Sequence, residues 1–275
     1  MTSPVPPGDT RTVDLPGGLS VTIEERGGGS GGRGFLLLHG GAGPRTMAGL
    51  ASALTEHAYT VVPTHPGFQG TPRPEWCDTP ADLAVAYLDL LDTLGLSDVM
   101  VIGSSLGGWV ACEMALRDTR ARIGSLTLLN AVGVHAARKE DAVVDTRALA
   151  PAEIAGLSFA DPAFRPDFSS LSDEQRAQGA ANQRALALYG GEKFSHDPKL
   201  RGRLHRVGVP VLVVWGEQDG IASATYGRDY ADSFPHGRFA PIPEAGHFPH
   251  IEQPGRTLGA IGDFADAVAN RSAAA

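Results

Sequence analysis

The chain predicts an α/β fold, a mostly parallel central sheet flanked by helices with a helical insertion in its second half. Three observations carry this. Short apolar runs alternate with stretches at helical spacing, which is the pattern of strand-helix units around one sheet. Several of those runs end abruptly in glycine, serine, histidine or acid, where an open sheet gathers its functional loops. Between residues 134 and 207 the strand pattern stops and only helical signals recur.

Residues 10–15 and 19–26 read as two strands joined at Pro16-Gly17-Gly18, which is hairpin turn chemistry. The glycine-rich stretch 27–34 falls between strands and reads as a mobile surface loop. Next come a strand at 35–38, a helix at 47–57, a strand at 59–63 and a helix at 80–94. That helix has Thr79 as N-cap and Pro80 at its first position. A strand at 99–104 runs into a buried helix at 106–117, and the apolar run 126–129 ends in Asn130, which is uncharged and offers no acid.

Helices are expected at 151–157, 173–189 and 198–205, with Ser172 and Gln175 in capping-box spacing and Asp197-Pro198 as a further start. Strands at 211–215 and 238–242 return the chain to the sheet. The expected division is therefore a core of residues 1–133 and 208–275 with a helical cap of residues 134–207. Phe159, Phe164, Phe168, Leu171, Tyr189 and Phe194 give that cap apolar surface for a pocket or for packing. Arg176 and Arg184 either meet a substrate carboxylate or form solvated helix faces.

Chemistry concentrates at Gly103-Ser104-Ser105-Leu106-Gly107. A serine lifted clear of the chain on a strand-to-helix turn has positive φ, which crowds the residues two before and two after it. Ser105 has Gly103 and Gly107 at those places, whereas Ser104 has Ile102 and Leu106, so the pattern selects Ser105 as nucleophile.

A serine nucleophile needs a base, an anion to orient that base, and donors for the developing oxyanion. The loop His39-Gly40-Gly41-Ala42-Gly43-Pro44 after the strand at 35–38 offers the Gly41 N–H, with the Leu106 N–H as second donor. Ala42 is the alternative if the register differs by one. Asp219, in Gly216-Glu217-Gln218-Asp219-Gly220, is the expected carboxylate, with Glu217 as its rival. His247 is the expected base, since an unperturbed imidazole titrates near pH 6.5. His250 competes with it. The His-x-x-His spacing lacks a companion ligand set, and neither metal nor cofactor is expected. Ala42, Phe68 and Phe248 are the expected substrate contacts, while His65 and Gln69 either border the site or stabilise their turn.

The order Ser105, Asp219, His247 resembles that of the α/β hydrolases. So do His39-Gly40-Gly41, His65-Pro66-Gly67-Phe68-Gln69-Gly70, Trp215-Gly216-Glu217-Gln218-Asp219 and Gly246-His247-Phe248-Pro249-His250-Ile251-Glu252. The resemblance implies Ser105 as nucleophile, His247 as base, Asp219 as its orienter, and Gly41 and Leu106 as amide donors. Dehalogenases and epoxide hydrolases of similar fold use an aspartate at the elbow, and Ser105 departs from them. Ring-cleavage carbon-carbon hydrolases usually carry a His-Gly-Ser-Gly-Pro-Gly loop and a tryptophan after the histidine, where this chain has His39-Gly40-Gly41-Ala42-Gly43-Pro44 and Phe248, and proline aminopeptidases usually have proline where it has Ala42.

The expected activity is serine-dependent hydrolysis of a small or medium ester-like molecule. Alternatives are carbon-carbon bond or lactone hydrolysis, and a ligand-binding receptor on a hydrolase scaffold. With 42% hydrophobic residues, the 275-residue chain can build a substantial core. A net charge of -8 argues against a nucleic-acid surface. The start carries no secretory signal pattern, and no apolar stretch reaches the roughly 18 residues of a membrane span, so a cytoplasmic protein is expected. Cys77 and Cys112 are too few for a disulfide framework. Oligomeric state is not written in these patterns.

Overall fold

Turn chemistry fixes the first hairpin. β1 (Asp9–Leu15) and β2 (Leu19–Arg26) pair antiparallel, and the connection places Gly17 and Gly18 at φ 82° and 77°, a region that costs glycine little. The computed structural model describes residues 8–27, 34–56 and 58–274. The expected loose N-terminal residues, most of the glycine-rich loop and His57 lie outside the described residues.

β3 (Gly34–Leu38) leads through a 3-10 turn, Pro44–Met47, into α1 (Ala48–Leu54). β4 (Tyr59–Pro63) is followed by α2 (Pro80–Thr93), whose N-terminus is closed by the reciprocal Thr79–Asp82 capping box. β5 (Val99–Ser104), α3 (Leu106–Arg117) and β6 (Ile123–Leu129) form the centre. Two-residue strands β7 (Gly133–Val134) and β8 (His196–Asp197) pair with each other, and between them lie α4 (Pro151–Ser158) and α5 (Asp173–Gly190). β9 (Val211–Gly216), α6 (Ala224–Ala231), β10 (Gly237–Ile242), α7 (Pro249–Glu252) and α8 (Pro254–Ala274) complete the order.

Eight strands form one sheet in the order β1-β2-β4-β3-β5-β6-β9-β10, parallel from β4 onward. Parallel strands are buried on both faces, and β5 and β9 are buried at every position. One face packs against α2, α3 and α6 through Tyr87, Val110 and Tyr230. The other packs against α1 and α8 through Leu50, Leu54, Ile261 and Phe264. The carboxyl ends of β3, β5, β6 and β9 are neighbours, so their loops share one edge.

Two expectations change. Residues 198–205 were expected as a helix, but Arg201–Arg206 is a 3-10 helix held by i→i+3 bonds such as Arg203 N–H to Leu200 O at 2.8 Å. Gly202 in the middle of so short a run, with Gly208 just beyond, disfavours α-helix propagation. Phe164 was placed among the pocket or packing residues, but it is 41% exposed.

Candidate functional site

Ser105 closes β5 and caps α3 with φ 52° and ψ -115°, a strained conformation for a residue with a side chain. Its neighbours explain how the chain tolerates it. A Cβ at Gly103 would lie 2.3 Å from Gly107 O, and a Cβ at Gly107 would lie 2.1 Å from Leu38 O. Backbone meets backbone at both places, so neither contact relaxes by rotating a side chain. The elbow is locked from below, where Ser105 N–H donates to Leu129 O at 3.0 Å and Ser105 O accepts from Gly108 and Val132 N–H. Gly107→Ala is expected to cost more than about 3 kcal/mol, above the usual overpacking range, because β3 and α3 must separate. A urea midpoint equal to that of the wild type would contradict this close approach.

His247 Nδ1–H donates to Asp219 Oδ2 at 2.8 Å, which leaves Nε2 as the ring's acceptor. The Asp219 side chain is fully buried. Its Oδ1 accepts from Ile221 N–H at 2.7 Å and Ala222 N–H at 3.2 Å, and Oδ2 also accepts from Asn130 Nδ2 at 2.7 Å. Glu217, the rival acid, is exposed. Asn130 is the residue that sequence reasoning passed over. At the end of β6, with φ 44°, it donates to Asp219 and accepts Gly216 N–H at 3.1 Å, so it ties the acid to the strand that carries it. The signal was a polar residue closing a parallel strand, the very position the sheet topology makes useful.

The loops that carry Asp219 and His247 are also fixed from α4. Gly220 N–H donates to Leu157 O at 3.0 Å, and His247 N–H donates to Ser158 O at 2.7 Å. The buried Glu252 carboxylate accepts from Gly246 N–H at 2.6 Å and from Asp161 N–H at 2.9 Å.

Behind the His39–Pro44 loop lies a neutral histidine pair. His65 Nε2–H donates to His39 O at 2.8 Å, His65 N–H donates to His39 Nε2 at 3.0 Å, and the Tyr87 hydroxyl donates to His65 Nδ1. His39 Nδ1–H is left to donate to Gly40 O at 2.7 Å. Burial pushes His65 down to about 4 and His39 well below the usual range, with the neighbouring His65 adding to the latter. His250 is also pushed down to about 4 by burial, and its Nε2–H donates to Thr46 O at 3.2 Å.

These shifts set an acid limit on stability. Unfolded histidines titrate near 6.5, so between there and about 4 the unfolded chain binds more protons, and stability falls as pH drops. At pH 5 the loss should be about 2 kcal/mol for each of His65 and His250. Urea midpoints at pH 7 and pH 5 measure it, and an unchanged midpoint would remove the buried neutral histidines from the account.

A cavity of about 710 Å³ opens over these loops, lined by Ser105, His247, Gly41, Ala42 and Phe248 among others. Leu106 begins α3, so its N–H is one of the donors a helix start leaves free, while its side chain is buried in the core. Gln69 lines the cavity, but Phe68 does not, in contrast to its expected role. It is fully buried, edge-on to His39 and His65 and stacked on Tyr189, because the 3-10 turn at Phe68–Gly70 folds it inward. Phe159, Phe168, Leu171 and Phe194 line the cavity, whereas Tyr189 is buried with its hydroxyl donating to Pro66 O at 3.0 Å. Arg176 lines it, and Arg184 is exposed elsewhere. α5 reaches the loops through Asn182, whose Nδ2 donates to Ala42 O at 3.2 Å and whose Oδ1 accepts from Gln69 N–H at 2.8 Å. Cys77 and Cys112 are buried thiols beside Tyr189 and Tyr230. Among the described residues no helix is long and apolar enough to cross a membrane.

Comparisons with known proteins agree with this architecture. A dihydrolipoyllysine-residue acetyltransferase component of an acetoin cleaving system from Cupriavidus necator is 30% identical over 249 residues, 86% of this chain and 64% of that protein. The chain spans less than two thirds of the length of the acetyltransferase relatives it matches. A pimeloyl-[acyl-carrier protein] methyl ester esterase from Aromatoleum aromaticum is 28% identical over 239 residues, 80% of this chain and 93% of that one. An esterase structure from Thermogutta terrifontis superposes with a TM-score of 0.73 at 22% identity, covering 95% of this chain and 99% of the other, a likeness of fold. The sequence profile for the alpha/beta hydrolase fold matches residues 35–254, and the chain belongs to that family.

Proposed function

We propose that this member of the family is a serine hydrolase that cleaves small or medium ester-like substrates through an acyl-enzyme. The observation that carries the reading is the buried Asp219–His247 pair at 2.8 Å, whose histidine lines the same cavity as a serine held at φ 52°. Ser105 Oγ attacks the ester carbonyl as His247 Nε2 takes its proton, and the carbonyl oxygen becomes an oxyanion that accepts from Gly41 and Leu106 N–H. Collapse expels the alcohol, which takes the proton from His247. Water, deprotonated by the same imidazole, then attacks the acyl-enzyme and releases the acid and free Ser105. Asp219 orients the imidazole and balances its charge when protonated.

Residues 134–207 act as a cap over this chemistry, with residues 1–133 and 208–275 as the core. The largely apolar lining and the volume of about 710 Å³ favour a small molecule over a polymer. The pimeloyl methyl ester esterase among the relatives is consistent with ester cleavage. A fluorophosphonate probe combined with a panel of short-chain aryl esters tests the reading. Labelling on the peptide containing Ser105, with turnover that the probe abolishes, is the expected result. Absence of both would overturn it.

A further inference from the structure

The cavity carries a charge asymmetry that ester cleavage alone does not require. The chain as a whole has 31 acidic and 23 basic side chains, yet no aspartate or glutamate is among the described residues that line the cavity. Two arginines do line it, Arg45 and Arg176. Arg45 follows Pro44, just beyond the loop that carries Gly41, where the bonds from Gly43 N–H to Gly40 O at 3.1 Å and from Thr46 N–H to Gly43 O at 3.2 Å fold the chain tightly. Its guanidinium has no ion-pair or hydrogen-bond partner among the described residues. Arg176, near the start of α5, donates to Phe168 O at 3.1 Å, and its closest carboxylate, on the exposed Asp173, is 3.9 Å away. Such a group retains most of its donors for a ligand.

We infer that Arg45 and Arg176 form an anion subsite at the mouth of the cavity, which selects ester substrates that also bear a carboxylate. The inference rests on the ester-hydrolase reading and adds the substrate class. A guanidinium matches the planar carboxylate with paired N–H donors, which an apolar wall cannot do. Gln69 and Gln178 belong to the same lining and add polar residues to it. Ile154, Phe159, Ile221 and Phe248, in the same lining, suit an apolar chain. A substrate with an apolar middle and one charged end satisfies both. Because both arginines are exposed, their attraction is partly screened and depends on salt.

The test separates binding from turnover. Calorimetric titration of Ser105→Ala with monomethyl adipate and with neutral dimethyl adipate should give about fivefold to tenfold tighter binding of the anion at low salt. The preference should shrink at high salt and fall towards unity in Arg45→Gln and Arg176→Gln, while Arg45→Lys keeps part of it. A second pair, 4-acetoxybutanoate and its methyl ester, places the charge on the alcohol side, and whichever pair discriminates assigns the side. Equal affinities in both pairs, or a preference that neither glutamine variant changes, would overturn the anion subsite. Wild-type turnover of the neutral esters is read separately. Its absence would overturn the hydrolase reading, while the binding preference still decides the subsite.

Discussion

Ser105→Ala is expected to lower ester turnover by about 10⁶-fold, the scale seen when a serine hydrolase loses its nucleophile. The substitution removes one oxygen and leaves the elbow otherwise intact. Alanine carries the same Cβ as serine, so the cost of φ 52° is unchanged, and the bonds that lock the turn are all made by backbone atoms. The variant should therefore fold with a melting temperature close to that of the wild type and lose fluorophosphonate labelling. Such a result assigns the loss to chemistry. Turnover within tenfold of the wild type would remove Ser105 from the nucleophile role.

Asp219→Asn should lower kcat by about 10⁴-fold, with a geometric cause that can be traced atom by atom. The two carboxylate oxygens accept four hydrogen bonds, from His247 Nδ1 and Asn130 Nδ2 on one side and from Ile221 and Ala222 N–H on the other. An amide offers only one oxygen. If its nitrogen faces His247, donor meets donor unless the imidazole moves its proton to Nε2, which can then no longer accept from serine. If its nitrogen faces Ile221 and Ala222, two backbone donors are opposed instead, and the loop loses about 1 to 3 kcal/mol. Kinetics and denaturation read the two outcomes separately. Glu217→Gln, at an exposed position, should change neither, and a large loss there would transfer the orienting role to Glu217.

The elbow was legible because its constraint is local. Positive φ at one residue dictates glycine two places either side, and a Cβ at Gly103 or Gly107 would strike backbone at 2.3 or 2.1 Å. Parallel strands were legible for a similar reason, since burial on both faces writes a continuous apolar run. Asn130 was not, because its partners, Asp219 and Gly216, are distant in the chain and meet it only once β6 and β9 lie side by side. Phe68 misled for the opposite reason. Its loop does border the cavity through Gln69, but a positive φ of 53° at Gln69 within the turn divides the two neighbours between cavity and core. The 3-10 helix at Arg201–Arg206 shows how a good start signal at Asp197-Pro198 fails when glycines at 202 and 208 interrupt the run that follows it.

The ties from Leu157, Ser158 and Asp161 to Gly220, His247 and Glu252 are joined by a second set, from Asn182 to Ala42 and Gln69. α4 and α5, which both contribute to the lining of the chamber, are thus fastened to its loops before any guest arrives. The disorder lost in arranging those helices is lost during folding and need not be lost again on binding, so affinity follows the fit of the guest more closely than the rearrangement of its host.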